Sequence, residues 1–353
     1  MPLYPMYALL FADNGMSDGQ ISALFALWSG VAVVAEIPFG ALADRFSRRW
    51  SLVAAGVAQA CGYALWTAVP GFWSYAAGFV LWGLGGALVS GAVEALLHDA
   101  LGAVGAADHF GVVLGRVTAV GLLAQIPAAL AATALFTTGG YALVGWASVA
   151  TCLGAALVAT RLPEGSRGEP ESYLATLRAG LAETAAVPAV RRAVAVVALL
   201  LGVDALEEYF PLLARDWSVP AALVPVAVLA IPLAGAAGAA ADASRVPLWV
   251  PTSLSALLLA AAGWLHHPAG LALVAVAYGL YRSVLVVAET RLQERITGPA
   301  RATVTSVAGL GSEVASYGVY AAWVVGGVPL VSLGILAVAL LLPRALRPAP
   351  ATT

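Results

Sequence analysis

The stretch FGALADRFSRRW, residues 39–50, sets one carboxylate and three arginines between two long apolar runs. ISALFALWSGVAVVAEIP precedes it and SLVAAGVAQACGYALWTAV follows it. A surface loop accounts for the charge. It does not account for the order Gly40, Asp44, Arg45, Arg48, Arg49, Leu52. Each flanking run is close to the ~20 apolar residues that a helix needs to cross a hydrocarbon core. The stretch therefore reads as a short charged turn between two membrane crossings.

Composition agrees. The chain has 353 residues, 61% hydrophobic and 10% charged, where soluble domains carry about 25% charged residues. Mean hydropathy is +0.90. That much apolar surface cannot be hidden inside one aqueous globule, so lipid is the expected solvent of its outside. A formal net charge of -2 points neither to nucleic acid nor to an acidic partner. Every basic residue is Arg, and none is Lys, which indicates a GC-rich, bacterial coding sequence. Cys61 and Cys152 sit inside apolar runs and read as free thiols. His98, His109, His266 and His267 lie at loop edges without further ligands nearby, so no metal or cofactor is expected. No basic leader or A-x-A cleavage site precedes the first polar break.

The apolar runs fall near 1–12, 20–41, 51–69, 73–97, 110–136 and 140–160. After a polar segment, 161–192, further runs follow near 193–213, 220–241, 248–265, 269–288, 302–323 and 327–343. Twelve spans of this length are expected to be helices, because each backbone polar group in lipid must be satisfied within its own segment. Arginine asymmetry orients them. With both termini inside, Arg45, Arg48, Arg49, the central segment, Arg245, Arg291, Arg295, Arg301, Arg344 and Arg347 are cytoplasmic. Only Arg215 is then outside. The central segment starts loop-like, and Leu174, Leu177 and Leu181 at helical spacing then suggest an amphipathic surface helix over about 171–186. A solvated linker is the other reading.

The two halves echo each other. GALAD (Gly40–Asp44) closes the second span and GAAAD (Gly238–Asp242) the eighth, with Arg245 just beyond. EALLHD (Glu94–Asp99) ends the fourth span and ETRLQE (Glu289–Glu294) the tenth, each behind a Gly-Leu pair, Gly83-Leu84 and Gly279-Leu280. Asp13 and Asp216 follow the first span of each half. The order points to a duplicated six-helix unit. It also exposes an anomaly: MPLYPMYALLFA is too short to cross about 30 Å at 1.5 Å per residue. Either the chain as given lacks the inner half of its first helix, or a short helix is tucked in there.

Twelve spans as six plus six, a long central loop, and G-x-x-x-D-R-x-x-R-R between the second and third spans resemble the major facilitator superfamily. The resemblance covers essentially the whole chain. It rests on Gly40, Leu42, Asp44, Arg45, Arg48, Arg49 and Leu52, departs at Ser47, where the family usually has Gly, and is degraded in the second half to Gly238, Asp242 and Arg245. It implies an all-α polytopic membrane protein with two pseudo-symmetric six-helix bundles. These are residues 1–160 and 193–345, joined by a cytoplasmic linker at 161–192 and followed by a tail at 346–353. Gly40 lets another helix pass close. The resemblance places Asp44 against the positive N-terminal end of the eleventh span, which starts near Pro299. The arginines bind lipid phosphates or neighbouring carboxylates, completing a cytoplasmic latch, or they hold topology.

Ionisable residues inside spans are expensive, and so are functional candidates. In DALEEYF, the residues Asp204, Glu207 and Glu208 stand at i, i+3 and i+4, one face of an α-helix. Three carboxylates that close cannot all ionise cheaply, so at least one is expected to hold a proton. Proton coupling, substrate contact, or fixed acceptance from tyrosine or arginine are the open roles. Arg282 in the tenth span has either Glu313 in the eleventh or the carboxylates of the seventh as its partner. Glu36 and Arg116 are candidates to pair across the inner half of the first bundle. Glu94 and Glu289 read as matched contacts to the loops that follow them. Trp28, Tyr278 and Tyr281 are candidate cavity residues.

These readings converge on a monomeric secondary transporter working by alternating access in the inner membrane. No phosphate-binding G-x-x-x-x-G-K-[ST] or nucleophile–base constellation suggests a pump or an enzyme. Protons and a small hydrophobic or amphipathic substrate are the expected partners, with export ahead of uptake. The fifth span, VGLLAQIPAALAAT, lacks the Gly-Pro pair and the fourth lacks the Arg that drug–proton antiporters of the family often carry. Uptake, or a sensor or scaffold without transport, remains the alternative.

Overall fold

The computed structural model describes the backbone of residues 1–45, 47–89, 92–163, 187–241, 243–296 and 301–346, and side chains there except those of 36–45 and 301–303. The expected amphipathic helix, Asp242, Pro299 and the tail beyond residue 346 lie outside the described residues.

Helix covers each of the twelve apolar stretches. The α-helices are α1 (Tyr7–Asp13), α2 (Asp18–Arg45), α3 (Arg48–Ala68), α4 (Phe72–Val89), α5 (Ala92–Ala103), α6 (Phe110–Leu123) and α7 (Gln125–Ala159). They continue with α8 (Pro188–Gly202), α9 (Phe210–Asp216), α10 (Val224–Ala240), α11 (Trp249–Leu265), α12 (Gly270–Arg295) and α13 (Arg301–Ala345). Among the described residues, six stretches are long and apolar enough to cross a membrane. Two of these are too long for one crossing, and each contains a glycine break. In α7 the break is Gly139–Gly140, with Gly140 at φ 60° and ψ −159°. In α13 it is Gly327, at φ 56° and ψ −147°. A side chain is essentially barred from that conformation, so the sequence bends the chain where the membrane would end.

Outward faces are apolar, as lipid requires. Val325 is 79% exposed, Leu340 75% and Trp264 89%. In water such a surface would aggregate.

The chain divides into two compact units, Met1–Tyr173 with Ala221–Val226, and Leu174–Pro220 with Ala227–Thr353. In the first, α3 packs on α4 and α7, and α2 on α4. A Cβ on Gly62 would lie 3.0 Å from the carbonyl oxygen of Gly78, so α3 and α4 touch through bare backbone. Behind that contact Tyr63, Trp66, Tyr75, Phe79, Phe11 and Phe25 are fully buried. In the second unit α13 packs on α8 and α11, and α11 on α12. Ser255 Oγ on α11 donates to the Ala277 carbonyl on α12 at 2.8 Å, a bond between helices that satisfies a hydroxyl away from water.

The internal repeat extends to backbone detail. α1 (YALLFAD) and α9 (FPLLARD) are both seven residues long and end on Asp. After α1, Asn14, Gly15 and Met16 donate to Leu10, Ala12 and Phe11; after α9, Trp217, Ser218 and Val219 donate to Leu213, Arg215 and Ala214. The middle residue of each trio has positive φ, 84° at Gly15 and 69° at Ser218. One capping geometry thus ends both helices. Before each lies a 3-10 turn, Tyr4–Met6 in the first unit and Val203–Tyr209 in the second.

Candidate functional site

The second of those turns carries the carboxylates. A continuous α-helix was expected through DALEEYF. Instead α8 stops at Gly202, seven residues run as 3-10 helix, and α9 restarts at Phe210 with Pro211 in its first turn. Proline explains the switch. It has no N–H, and in an α-helix its ring would strike the carbonyl four residues back, which belongs to Glu207. In the observed geometry the Phe210 N–H takes that carbonyl at the tighter spacing. A 3-10 run this long inside a span is uncommon, and such runs mark hinges.

The tighter winding changes which carboxylates share a face. At three residues per turn, i and i+3 eclipse while i+4 lies about 120° away. Asp204 and Glu207 therefore come together and Glu208 departs, correcting the expected single face of three. Val203, Leu206 and Phe210 form the inward face, against Ser255, Leu259, Tyr281 and Ile335.

Asp204 and Glu207 meet Tyr278 and Arg282 on α12. Tyr278 Oη donates to Asp204 Oδ1 at 2.8 Å and is also in hydrogen-bond contact with Glu207 Oε1. Arg282 Nη1 donates to Asp204 Oδ2 at 3.0 Å. The Arg282 and Asp204 side chains are 33% and 36% exposed, so the pair borders open space. One turn back, Tyr281 Oη donates to the Leu200 carbonyl at 2.8 Å, covering an acceptor at the end of α8.

Hydrogen count gives this cluster its chemistry. A phenol has one proton to donate. It cannot donate to two carboxylates at once, so both contacts of Tyr278 are hydrogen bonds only when one carboxyl carries a proton of its own. A proton held by that carboxyl would lie beside the Arg282 guanidinium.

Close backbone contact holds α12 in place. A Cβ on Gly238 would lie 1.9 Å from the Gly279 carbonyl oxygen, and one on Gly235 would lie 2.5 Å from the Tyr278 ring. The degraded second-half motif thus keeps its glycine for a packing reason.

Arg48, at the start of α3, forms an ion pair with Asp99 of α5, a neighbouring carboxylate; His98 Nδ1 lies 3.8 Å from the same group. The guanidinium of Arg49 sits 5.7 Å from the Trp50 ring centroid, a cation–π contact. Ser47, the departure from the motif, is extended at φ −173° and caps α3, its Oγ accepting from the Trp50 N–H at 3.2 Å. A serine here supplies a cap that glycine lacks. Gly40, Asp44 and Arg45 lie on the last turns of α2 and Glu36 lies one turn earlier; their side chains, and so the Asp44 latch and the Glu36–Arg116 pair, are outside the described residues. Arg116, Glu94 and Glu289 are exposed. Glu313 is half-buried on α13, and its backbone carbonyl accepts from Ser316 Oγ at 2.7 Å. Arg245 lines a cavity of about 380 Å³ at one end of the second unit, with Arg291, Trp249 and Leu346. Arg291 there donates to the Leu346 and Ser244 carbonyls at 3.1 and 3.3 Å.

The hub role of Tyr278 and the 3-10 turn went unread in the sequence. Pro211 was the available signal for the turn. For Tyr278 it was the i, i+4 spacing to Arg282, which puts both on one helical face.

The sequence profile described as Major Facilitator Superfamily matches residues 1–316. Among solved structures, the nucleoside transporter NupG superposes with TM-score 0.74 at 13% identity, covering 98% of this chain and 94% of that one. A D-xylose-proton symporter gives 0.72 at 12%, covering 96% and 91%. A bacterial homolog of the human lysosomal transporter Spinster, inward-facing and unoccupied, gives 0.64 at 16%, covering 96% and 93%. No curated protein matches the sequence significantly.

Proposed function

The chain belongs to the major facilitator superfamily, and from that premise we propose a proton-coupled secondary transporter whose proton-handling group is Asp204, Glu207, Tyr278 and Arg282. The chain is an integral membrane protein and a transporter rather than an enzyme. The observation that carries the proton reading is the single Tyr278 hydroxyl between two carboxylates. The cluster sits on a 3-10 turn in which Pro211 bars α-helical spacing only at the Glu207 carbonyl, so the residues before it can change winding. Winding residues 204–207 at α-helical spacing would separate Asp204 from Glu207 by about 60° around the helix axis and so alter the contact that holds the proton. That links the protonation state to a backbone state, which coupling requires.

Both termini are placed inside by the arginine distribution, in the cell's inner membrane. Residues 1–160 and 193–345 serve as the two bundles and the FGALADRFSRRW stretch as a cytoplasmic latch. The cargo is a small hydrophobic or amphipathic molecule, and the apolar span faces favour its export. Uptake is the second reading, favoured by the proton symporter among the similar structures.

The test is flux in proteoliposomes against a compound panel, with and without an imposed pH gradient. Compounds are expected to move faster down the gradient-driven direction. A compound that moves at one rate under every gradient rules out coupling.

A further inference from the structure

The first unit contains a counterpart of the charged cluster, built from different chemistry. Three residues before α9 stands Glu207; three before α1 stands Tyr4. Before Gly279 of α12 stands Tyr278; before Gly83 of α4 stands Trp82. Three residues beyond Gly279 is Arg282; three beyond Gly83 is Gly86. The correspondence is also spatial. Glu207 touches Tyr278, and the Tyr4 ring stacks on Trp82 with centroids 6.1 Å apart and planes 20° apart. Where Arg282 projects its guanidinium, Gly86 is exposed and has no atom within 4 Å of where a Cβ would stand.

We propose that the Tyr4–Trp82 stack beside the open backbone of Gly86 is a binding subsite for a neutral, flat aromatic or heteroaromatic ring of the transported molecule. This rests on the transporter reading above. Three features carry it. The face is not built for lipid: its counterpart in the second unit bears an ion pair, and ionised groups in membrane segments face protein or water. The rings are arranged in series: Trp66 lies parallel to Trp82, at 6.2 Å and 20°, and Trp82 to Tyr4, which is 39% exposed. A further flat ring extends that series in the offset-stacked geometry that aromatic pairs prefer. Trp28, half-buried and 6.3 Å from Trp82 at 77°, closes one side edge-on. Among the described residues, the space that a guanidinium fills in the other unit is open over Gly86, and no charged side chain joins the aromatic set. A neutral ring fits there without a counter-ion.

Saturation-transfer NMR on the purified full chain in detergent tests this, with indole, caffeine and nicotinamide as flat neutral probes. Glucose serves as a non-aromatic ring and tetramethylammonium as a cation. Transfer to ring protons of the flat probes is expected, with little to glucose or tetramethylammonium. Gly86→Arg, which refills the space as the second unit does, and Tyr4→Ala are each expected to cut the transfer at least fivefold. Tyr4→Phe retains it. Gel filtration of each variant reports folding, and the two losing variants disturb different atoms. Failure of all three flat probes, equal transfer in folded Gly86→Arg and Tyr4→Ala, or preference for the cation or the sugar overturns the subsite. The assay needs no flux, so ring binding without gradient-driven transport leaves the subsite standing and removes the proton-coupled reading.

Discussion

The two units answer one structural problem in opposite ways. Each has a short 3-10 turn, a seven-residue helix ending on Asp, and a glycine-lined close approach. In the first unit the turn faces a partner helix with rings: Tyr4 on Trp82, with Trp28 and Phe79 around them. In the second it faces that helix with ions and a phenol: Asp204, Glu207, Tyr278 and Arg282. One duplicated frame thus carries stacked rings in one unit and an ion pair bridged by a phenol in the other. The lesson is that the frame belongs to the backbone and the glycines, while the chemistry belongs to about three side chains per unit.

The largest expected effect separates the two frames. A methyl group on Gly238 would meet the backbone oxygen of Gly279, whereas one on Gly83 would meet a side chain, Val31, with Cγ1 at 2.6 Å and Cβ at 3.0 Å. Gly238→Ala is expected to cost about 3 kcal/mol and Gly83→Ala about 1 kcal/mol, measured as thermal unfolding in detergent. Equal losses would break the claim that backbone meets backbone at Gly238 while a side chain is met at Gly83.

Next comes the ion pair. Arg282→Gln leaves Asp204 without its cation, and is expected to lower gradient-driven flux on the order of tenfold or more. Asp204→Asn in the same chain restores folding stability relative to Arg282→Gln alone, because no uncompensated charge remains. A double variant less stable than both single ones would refute the pairing.

The comparison sharpens at the hub. Tyr278→Phe removes the hydroxyl that bridges Asp204 and Glu207 and is expected to cost roughly tenfold in gradient-driven flux. Trp82→Phe keeps a ring in the corresponding place and is expected to shift apparent substrate affinity instead, leaving the response to the gradient intact. A loss of gradient response in Trp82→Phe would dissolve the division of labour.

The smallest effect concerns the shared cap. Gly15 adopts positive φ freely, whereas Ser218 holds φ 69°. Ser218→Gly is expected to stabilise the chain by up to about 1 kcal/mol, and Gly15→Ser to destabilise it similarly. Thermal melts of the two variants should move in opposite directions.

The fold was legible because lipid leaves few choices. Runs of about 20 apolar residues must be helical, and the paired Gly40/Gly238 and Glu94/Glu289 motifs betrayed the duplication. The identity of the site was half legible. Charged residues stand out in apolar spans, so Asp204, Glu207 and Arg282 were visible. The pairing of Arg282 with Asp204 was one of the two the sequence offered, but Tyr278 with Glu207 was not among them, because spacing within one helix is silent about contacts 70 or more positions away. The face was misjudged for a local reason: an α-helical period was applied to residues that Pro211 forces into tighter winding. α1 matches α9 in length, whereas the 3-10 turn and the 15-residue α8 that precede α9 have only the turn Tyr4–Met6 as their counterpart before α1.

In the proposed mechanism Asp204 and Glu207, bridged by Tyr278, carry the transported proton. The direct measurement is proton movement, followed with a pH dye sealed inside proteoliposomes, on adding each member of a compound panel. The wild-type chain is predicted to move protons with at least one compound. The variant carrying Asp204→Asn and Glu207→Gln should still exchange that compound across the membrane but move no protons. Undiminished compound-driven proton movement in that variant would contradict the account.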